Sequence, residues 1–202
     1  MAGPFYIALE GSEGCGKSTH AERLAAAIGA VITRETGGTA IGERLRAILH
    51  DTTVVDLDNR AETLIVAADR AQHMAEVVRP ALAAGRHVVS DRSVYSTLAY
   101  QGYGRGLPLD EVRRINEWAM GEVWPDLVVL LTIPADVTAE RMGRRQLDRF
   151  EQAGDDFHIR VDRGFAVMAE AEPERWAIVD GSRSKDEVAA AIRGVITERL
   201  AL

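Results

Sequence analysis

The chain has 202 residues, 47% of them hydrophobic, and a formal net charge of −7 at pH 7. This length fits one domain with a full core, and the acidic balance disfavours a general nucleic-acid binder, because such proteins are usually basic. No apolar run approaches the roughly 18 residues that span a membrane, and the N-terminus lacks a signal-peptide pattern. We therefore expect no membrane partner and no polymeric nucleic acid.

Cysteine and histidine usage narrows the chemistry further. The only cysteine, Cys15, excludes an intramolecular disulfide and favours a reducing cytoplasm. The five histidines show none of the spacings that are typical of zinc sites. We therefore expect a cytoplasmic protein without a zinc centre.

The first predicted strand, Phe5–Leu9, leads directly into a phosphate-binding loop. The loop fits G-x-x-x-x-G-K-[ST] and reads Gly11-Ser12-Glu13-Gly14-Cys15-Gly16-Lys17-Ser18. The following residues predict a helix, because apolar side chains recur at helical spacing at Ala21, Leu24, Ala25 and Ile28. In this context backbone N–H groups and the helix N-terminus face phosphates, Lys17 adds charge and Ser18 can ligate Mg²⁺. The stretch predicts a nucleotide-binding site.

Short apolar strands then alternate with helices. The further predicted strands cover 31–33, 87–90, 126–131 and 176–180. The further predicted helices cover about 41–49, 60–84, 109–120, 156–171 and 185–200, with a helical segment through Tyr100 and a turn over 102–106. This alternation is typical of an α/β fold in three layers, with a parallel sheet between helices. Periodicity alone leaves the strand order open.

The predicted helix over 60–84 is unusual because several of its faces are apolar or small. Pro80 is expected to kink it or to mark a break near its end. A helix this apolar is buried, either inside its own domain or partly against a second subunit. The pattern leaves both options open.

Charged residues follow the predicted strand at 87–90. In a parallel sheet, ligands bind outside the carboxyl ends of the strands, which is where Asp91 and Arg92 are expected. A predicted lid carries a second arginine group around Gly143, made of Arg141, Arg144, Arg145 and Arg149. Together with the phosphate loop, these groups suit phosphoryl transfer, which depends on positioning and charge neutralisation.

Seven motifs along nearly the whole chain resemble those of bacterial thymidylate kinases. They are Gly11–Thr19, Thr33-Arg34-Glu35-x-Gly37-Gly38-Thr39, Ala67-Ala68-Asp69-Arg70, Asp91-Arg92, Tyr100-Gln101-Gly102-Tyr103-Gly104-Arg105-Gly106, Pro125-Asp126-Leu127 and Leu147-Asp148-Arg149-Phe150-Glu151. The resemblance implies the reaction ATP + dTMP → ADP + dTDP with Mg²⁺, in a homodimer. It further implies a single P-loop kinase domain over 1–202, a five-stranded parallel sheet in the order 2-3-1-4-5, and a short arginine-bearing lid at about 142–156.

The resemblance also implies the site. ATP would be bound by the phosphate loop and the lid, through Gly11, Ser12, Glu13, Gly14, Cys15, Gly16, Lys17, Ser18, Thr19, Arg144, Arg145 and Arg149. The dTMP acceptor would contact Glu13, Arg34, Arg46, Val66, Arg70, Arg92, Thr97, Tyr100 and Gln101. Lys17, Asp91, Arg92 and Arg149 would be catalytic, and Mg²⁺ would lie near Ser18 and Asp91.

Individual roles follow from the same resemblance. Glu13 would contact the deoxyribose 3′-hydroxyl, and Arg34, Arg46 and Arg92 would contact the monophosphate or the transferred group. Thymine would be read along its edge by Arg70, Thr97 and Gln101. Tyr100 either packs against the sugar or belongs to the core, and Asp91 either lies near Mg²⁺ or orients Arg92.

Three positions depart from the family pattern. Val66 replaces a phenylalanine that stacks on thymine, Ser93 replaces an aromatic residue or histidine, and Thr36 replaces a proline. Because of Val66, a kinase of the same fold that prefers dUMP or another deoxynucleoside monophosphate stays open. A catalytically silent nucleotide-binding protein is a further alternative, whereas the thymine-edge set argues against a small-molecule kinase.

Overall fold

A single parallel sheet forms the centre of the protein. The computed structural model describes residues 3–143 and 148–202. Its strands are β1 Tyr6–Glu10, β2 Val31–Arg34, β3 Val88–Asp91, β4 Leu127–Thr132 and β5 Trp176–Asp180. All five are parallel, in the order β2-β3-β1-β4-β5. The predicted α/β fold and the strand order implied by the resemblance are both confirmed.

Helices cover both faces of the sheet. Their bounds are α1 Lys17–Ile28, α2 Ala40–His50, α3 Asn59–His73, a π-helical turn Met74–Val78, α4 Arg79–Ala83, α5 Val94–Thr97, a π-helical segment Leu98–Gly104, α6 Leu109–Met120, α7 Ala135–Met142, a 3₁₀ turn Glu151–Ala153, α8 Asp155–Ala171 and α9 Lys185–Leu200. No helix in the described part of the chain has the length and apolar character needed to cross a membrane.

Two apolar cores result from the alternation of side chains along each strand. Ile7 and Leu9 of β1 pack with Leu24 of α1 and Ile192 of α9 on one face. The other core contains Tyr6 together with residues of the π-helical segments, α6 and α8. The sheet is thus covered on both faces, as a parallel sheet requires.

The carboxyl ends of three strands meet at one edge of the sheet. Leu9 of β1 and Arg34 of β2 both lie beside Asp91, the last residue of β3. The phosphate loop follows β1, and Arg92 follows β3. The register therefore brings three separate polar segments together at the edge where ligands bind in such sheets.

Proline in the long apolar helix is accommodated without a break. α3, the π-helical turn and α4 follow one another continuously, and Pro80 lies in the first turn of α4. Proline cannot donate a backbone hydrogen bond and its ring crowds the preceding turn. The wider turn at Met74–Val78 lies directly before it, so the disruption is taken up there.

The predicted turn over 102–106 is wrong in its first half, because Leu98–Gly104 is π-helical. Gly102 and Gly104 do not have positive φ, whereas Gly106 does, at 73°. A Cβ atom on Gly104 would lie 2.6 Å from the Phe157 ring, and one on Gly102 would clash with Leu109. These two glycines therefore serve close packing, and only Gly106 serves the turn.

Candidate active site

A cavity of about 790 Å³ opens at the carboxyl edge of the sheet. It is lined by most of the predicted site residues, namely Glu13, Gly14, Cys15, Gly16, Lys17, Ser18, Thr19, Arg34, Arg46, Val66, Arg70, Asp91, Arg92, Thr97, Tyr100 and Gln101. Gly11 and Ser12 contribute backbone oxygens behind this wall. The predicted lid residues Arg144 and Arg145 lie outside the described residues.

The phosphate loop has the backbone that its glycines permit. Gly11, Gly14 and Gly16 have φ values of 140°, 74° and 95°, which side chains rarely allow. α1 starts at Lys17, so its unpaired N–H groups face the loop. The Lys17 ammonium group donates to the Ser12 carbonyl oxygen at 2.6 Å. The loop thus concentrates positive charge at one end of the cavity.

Ser18 and Asp91 form an oxygen pair at the base of this loop. The Ser18 hydroxyl donates to Asp91 Oδ2 at 2.5 Å. Asp91 Oδ1 is buried, and within 3–143 and 148–202 it accepts no hydrogen bond. A buried carboxylate oxygen without a partner is costly, and Mg²⁺ binds through such oxygens. The pair therefore fits a magnesium ion.

Arg92 crosses the middle of the cavity. It has φ 72°, a left-handed conformation that is uncommon outside glycine. Its guanidinium donates to the Gly11 carbonyl oxygen at 3.2 Å and to Ser96 Oγ at 3.0 Å, and it pairs with Glu13. Although burial opposes the charge, Glu13 and Tyr100 raise the pKa of Arg92 well above its ordinary value. Arg92 is a fixed cation.

Tyr100 belongs to both the core and the cavity. Its ring makes edge-to-face contacts with Phe157 and Phe165, at centroid distances of 5.9 and 6.4 Å. Its hydroxyl accepts from Arg92 at 3.0 Å and donates to Glu13 at 3.2 Å. Burial raises the pKa of Tyr100 well above its ordinary value, and Arg92 opposes this only in part. The side chain is a neutral, rigid wall of the cavity.

Two further arginines face the same region. Arg34 donates to Glu43 at 2.9 Å, and Arg46 donates to the Thr36 carbonyl oxygen at 3.2 Å. Burial, together with the nearby Arg34 and Arg92, lowers the pKa of Arg46. Neighbouring cations that repel one another across a cavity are stabilised by a bound anion. This side of the cavity suits a phosphate group.

The far end of the cavity contains Arg70 in a buried network. Arg70 is 1% exposed and pairs with Glu35 through Nε at 2.9 Å and Nη2 at 2.8 Å. It also donates to the Ser93 carbonyl oxygen at 3.1 Å and, through Nη1, to Asn116. Although burial works against the charged carboxylate, Arg70 and His73 lower the pKa of Glu35. Nη1 of Arg70 carries two N–H groups, and the hydrogen bond to Asn116 uses one of them.

Three other residues complete that end. Thr97 Oγ1 is buried and lacks a partner in the described part of the chain. Gln101 is 2% exposed, and its Nε2 donates to Glu62 at 2.8 Å. Val66 lines the cavity with a buried side chain. A flat ligand at this end would meet the apolar side chain of Val66 and the neutral polar side chains of Thr97 and Gln101.

Arg149 is not at the phosphate loop in this structure. Its Nη2 pairs with the buried carboxylate of Glu62 at 2.5 Å, and its Nε donates to the Leu49 carbonyl oxygen at 2.9 Å. It is not among the residues that line the cavity. Its predicted contact with ATP therefore stays a prediction.

Sequence reasoning missed residues behind and beside the site. Glu10 is buried and accepts from Ser93 Oγ at 2.8 Å and Ser96 Oγ at 2.6 Å. Burial raises the pKa of Glu10, and Arg92 opposes the shift. The signal was a glutamate directly after an apolar strand. Arg141, which was predicted only as a member of the lid arginine group, donates to the Gly14 carbonyl oxygen at 3.2 Å and lines the cavity.

Comparison with known proteins gives a consistent result. The family model described as Thymidylate kinase matches residues 9–192. A thymidylate kinase of Desulfovibrio desulfuricans is 46% identical over 204 residues, which covers 95% of this chain and 94% of that protein. A thymidylate kinase of Neisseria gonorrhoeae is 44% identical, with 96% of each chain covered.

A solved structure agrees with these relatives. The crystal structure of thymidylate kinase from Ehrlichia chaffeensis superposes with a TM-score of 0.77 and 28% sequence identity. The match covers 96% of this chain and all of that one (100%). The similarity therefore extends over the sheet and both helical layers.

Proposed function

The chain belongs to the thymidylate kinase family, and from this premise we propose that it transfers the γ-phosphoryl group of ATP to dTMP, giving ADP and dTDP. One observation carries the proposal. A single cavity has the phosphate loop at one end, the trio Arg70, Thr97 and Gln101 at the other, and Arg92 between them. This arrangement suits a nucleotide donor and a pyrimidine monophosphate acceptor in line.

The donor end supplies charge for the phosphates of ATP. Backbone N–H groups of the loop and Lys17 would hold the β- and γ-phosphates. Ser18 and Asp91 would hold Mg²⁺, whose charge offsets that of the phosphate oxygens. Lys17 is buried and tied to the Ser12 carbonyl oxygen, so its charge is in place before ATP arrives.

The centre of the cavity would position the two reacting groups. Phosphoryl transfer depends on alignment and on neutralising charge that spreads over the equatorial oxygens. Arg92 is anchored on the Gly11 carbonyl oxygen, so its charge is fixed beside the loop. Arg34 and Arg46 would bind the acceptor monophosphate, and Glu13 would accept a hydrogen bond from the sugar hydroxyl. Because Glu13 is acidic, it would disfavour a phosphate at the sugar position.

We further propose that the protein forms a homodimer and lies in the cytoplasm. On α3 an exposed or half-exposed apolar stripe, Leu64, Ala68 and Ala71, recurs at helical spacing. Trp118 of α6, which packs beside α3, is 87% exposed. Such a face supports a homodimer, and light scattering after size-exclusion chromatography tests it against a monomer at micromolar concentration. A single free thiol, the buried Cys15, suits the cytoplasm.

A coupled ADP-release assay with Mg·ATP tests the proposed reaction. The acceptors are dTMP, dUMP, UMP, dCMP, dGMP and AMP. We expect the highest kcat/KM with dTMP. A preference for dUMP would support the alternative kinase and would point to Val66 as the cause. ATP binding without transfer to any acceptor would support the silent nucleotide-binding protein.

A further inference from the structure

The side chain of Glu62 is a buried carboxylate directly behind the pyrimidine end of the cavity. It lies on α3 and is 0% exposed. Oε1 accepts from Gln101 Nε2 at 2.8 Å and from Arg105 Nε at 3.2 Å. Oε2 accepts from Arg105 Nη2 at 3.1 Å and from Arg149 Nη2 at 2.5 Å. The guanidinium groups of Arg105 and Arg149 and the side-chain amide of Gln101 thus all donate to the one carboxylate of Glu62.

Both oxygens of Glu62 already accept hydrogen bonds from N–H groups, so this side chain presents acceptors to Gln101. A glutamine amide has one donating end and one accepting end, and its two orientations are otherwise nearly equivalent. The carboxylate therefore permits only the orientation of Gln101 in which the NH₂ group faces Glu62. Gln101 Oε1 accepts no hydrogen bond from any residue within 3–143 or 148–202, and Gln101 lines the cavity.

We propose that Glu62 is a positioning residue that sets pyrimidine specificity by fixing the amide of Gln101 with its oxygen toward the base. This inference rests on the proposed function. Thymine carries an N3–H donor beside an O4 acceptor, whereas cytosine carries an N3 acceptor beside an NH₂ donor. An amide fixed with its oxygen toward the base accepts from the first and repels the second.

Arg70 strengthens the same selection from the other side. Its guanidinium can only donate, and Glu35, Ser93 and Asn116 fix its orientation. A donor at Arg70 with an acceptor at Gln101 matches O4 and N3–H of thymine in order. Cytosine would leave buried polar groups unpaired or opposed at both positions, which is how a site rejects a near-isostere.

The test is the ratio of kcat/KM for dTMP to that for dCMP in Glu62→Gln. The amide of the new residue presents either end to Gln101, so the orientation is no longer imposed. We expect the ratio to fall roughly ten- to hundredfold, the range for one lost discriminating hydrogen bond. Arg105→Gln is the matched control, because it removes a charge partner of Glu62 and keeps the contact of Glu62 with Gln101. It should lower the melting temperature and leave the ratio unchanged.

A double-variant cycle separates positioning through Gln101 from a general structural effect. In a Gln101→Met background the amide is gone, so Glu62→Gln should not change the ratio further. An unchanged ratio in the single variant, or an equal fall in the Met background, would overturn the inference. An unaltered protein that does not prefer dTMP would instead overturn the proposed function.

A second measurement needs no variant of Glu62 and covers the case in which Glu62→Gln does not fold. In the ¹⁵N spectrum, the side-chain NH₂ of Gln101 is the pair of resonances that Gln101→Met removes. We expect it to exchange with solvent far more slowly than exposed side-chain amides, since it is bonded to Glu62. Exchange at the rate of an exposed amide would overturn the inference.

Discussion

The arginines at the two ends of the cavity differ in how deeply they are buried and in how they are paired. At the base end, Arg70 is 1% exposed and is bonded to Glu35, Ser93 and Asn116. At the phosphate end, the Arg34 side chain is 50% exposed and forms one salt bridge, with a Glu43 side chain that is 64% exposed. Arg70 is thus held in buried pairs, whereas Arg34 keeps its charge partly hydrated.

This difference in burial suits base recognition at one end of the cavity and phosphate binding at the other. Reading a base requires donors and acceptors that do not turn toward the wrong partner, so they must be fixed beforehand. Binding phosphates requires positive charge that is not already neutralised. Lys17 and Arg46 donate to backbone carbonyl oxygens, and the salt bridge of Arg34 is exposed. We infer that the fold fixes Arg70 at the base end, whereas Arg34 at the phosphate end becomes fixed when its ligand binds.

The largest expected effect on the free energy of unfolding comes from replacing the base-end arginine by methionine, and the same replacement at the phosphate end is its control. Arg70→Met leaves the Glu35 carboxylate buried without its main cation and should lower the free energy of unfolding by about 3–5 kcal/mol. Arg34→Met breaks an exposed pair and should change it by less than about 1 kcal/mol. Urea denaturation measures both. Equal losses in the two variants would contradict the comparison.

Removing the ammonium group of the phosphate loop should affect catalysis instead of stability. Lys17→Met should lower kcat with dTMP by roughly 10²–10³-fold, the usual cost of one lost transition-state donor. Its melting temperature should stay close to that of the unaltered protein. Steady-state kinetics and thermal denaturation check the pair of results. Activity within tenfold of the original would show that Lys17 does not act on the phosphates.

Acid should weaken the base end through Glu35. Arg70 and His73 lower its folded pKa against the effect of burial, below an ordinary value of 4.5. The carboxylate therefore stabilises the fold fully above about pH 4.5, and this stabilisation is lost as the pH falls toward the folded pKa.

The unfolding free energy below that pH should fall less steeply in Glu35→Gln, by up to about 1.4 kcal/mol per pH unit. Glu43→Gln is the control at the phosphate end, since its salt bridge is exposed. We expect it to keep the original slope. A Glu35→Gln slope that matches the original would be the contrary outcome.

The smallest expected effect comes from restoring an aromatic face at the base end. Val66→Phe should lower KM for dTMP a few-fold, because an aromatic pair adds about 0.5–1.5 kcal/mol beyond area burial. Val66→Leu adds volume without an aromatic face and should bring no gain. If both variants change KM equally, or neither does, stacking at this position is not what limits affinity.

Much of the fold follows from local patterns in the sequence. The phosphate loop at Gly11–Ser18 and the apolar strands were predicted within one or two residues, because each signal lies within a short stretch. The segment Leu98–Gly104 was not, since Gly102 and Gly104 are typical of turns. They are needed where Leu109 and Phe157 pack against the backbone, which no local pattern reveals.

The residues that line the site could be predicted from the sequence, but the buried residues that hold them in place could not. Motifs placed Arg70 and Gln101 at the cavity, but not the carboxylates that hold them. Glu62 lies in a helical pattern that is otherwise apolar, and its partners Gln101 and Arg149 are 39 and 87 residues away along the chain. Such pairs depend on the tertiary fold, so spacing within one element does not indicate them.

The central claim, that the fold fixes Arg70 and that the ligand fixes Arg34, is tested most directly by hydrogen exchange of arginine Nε–H groups in NMR spectra. The Arg70 Nε–H should be protected in the free protein and unchanged by dTMP. The Arg34 Nε–H, identified by Arg34→Met, makes only a long hydrogen bond to the Gly37 carbonyl oxygen, at 3.3 Å, so it should exchange much faster than that of Arg70 in the free protein and slow when dTMP binds. Equal protection of both groups in the free protein, or protection of Arg70 only after dTMP is added, would contradict the account.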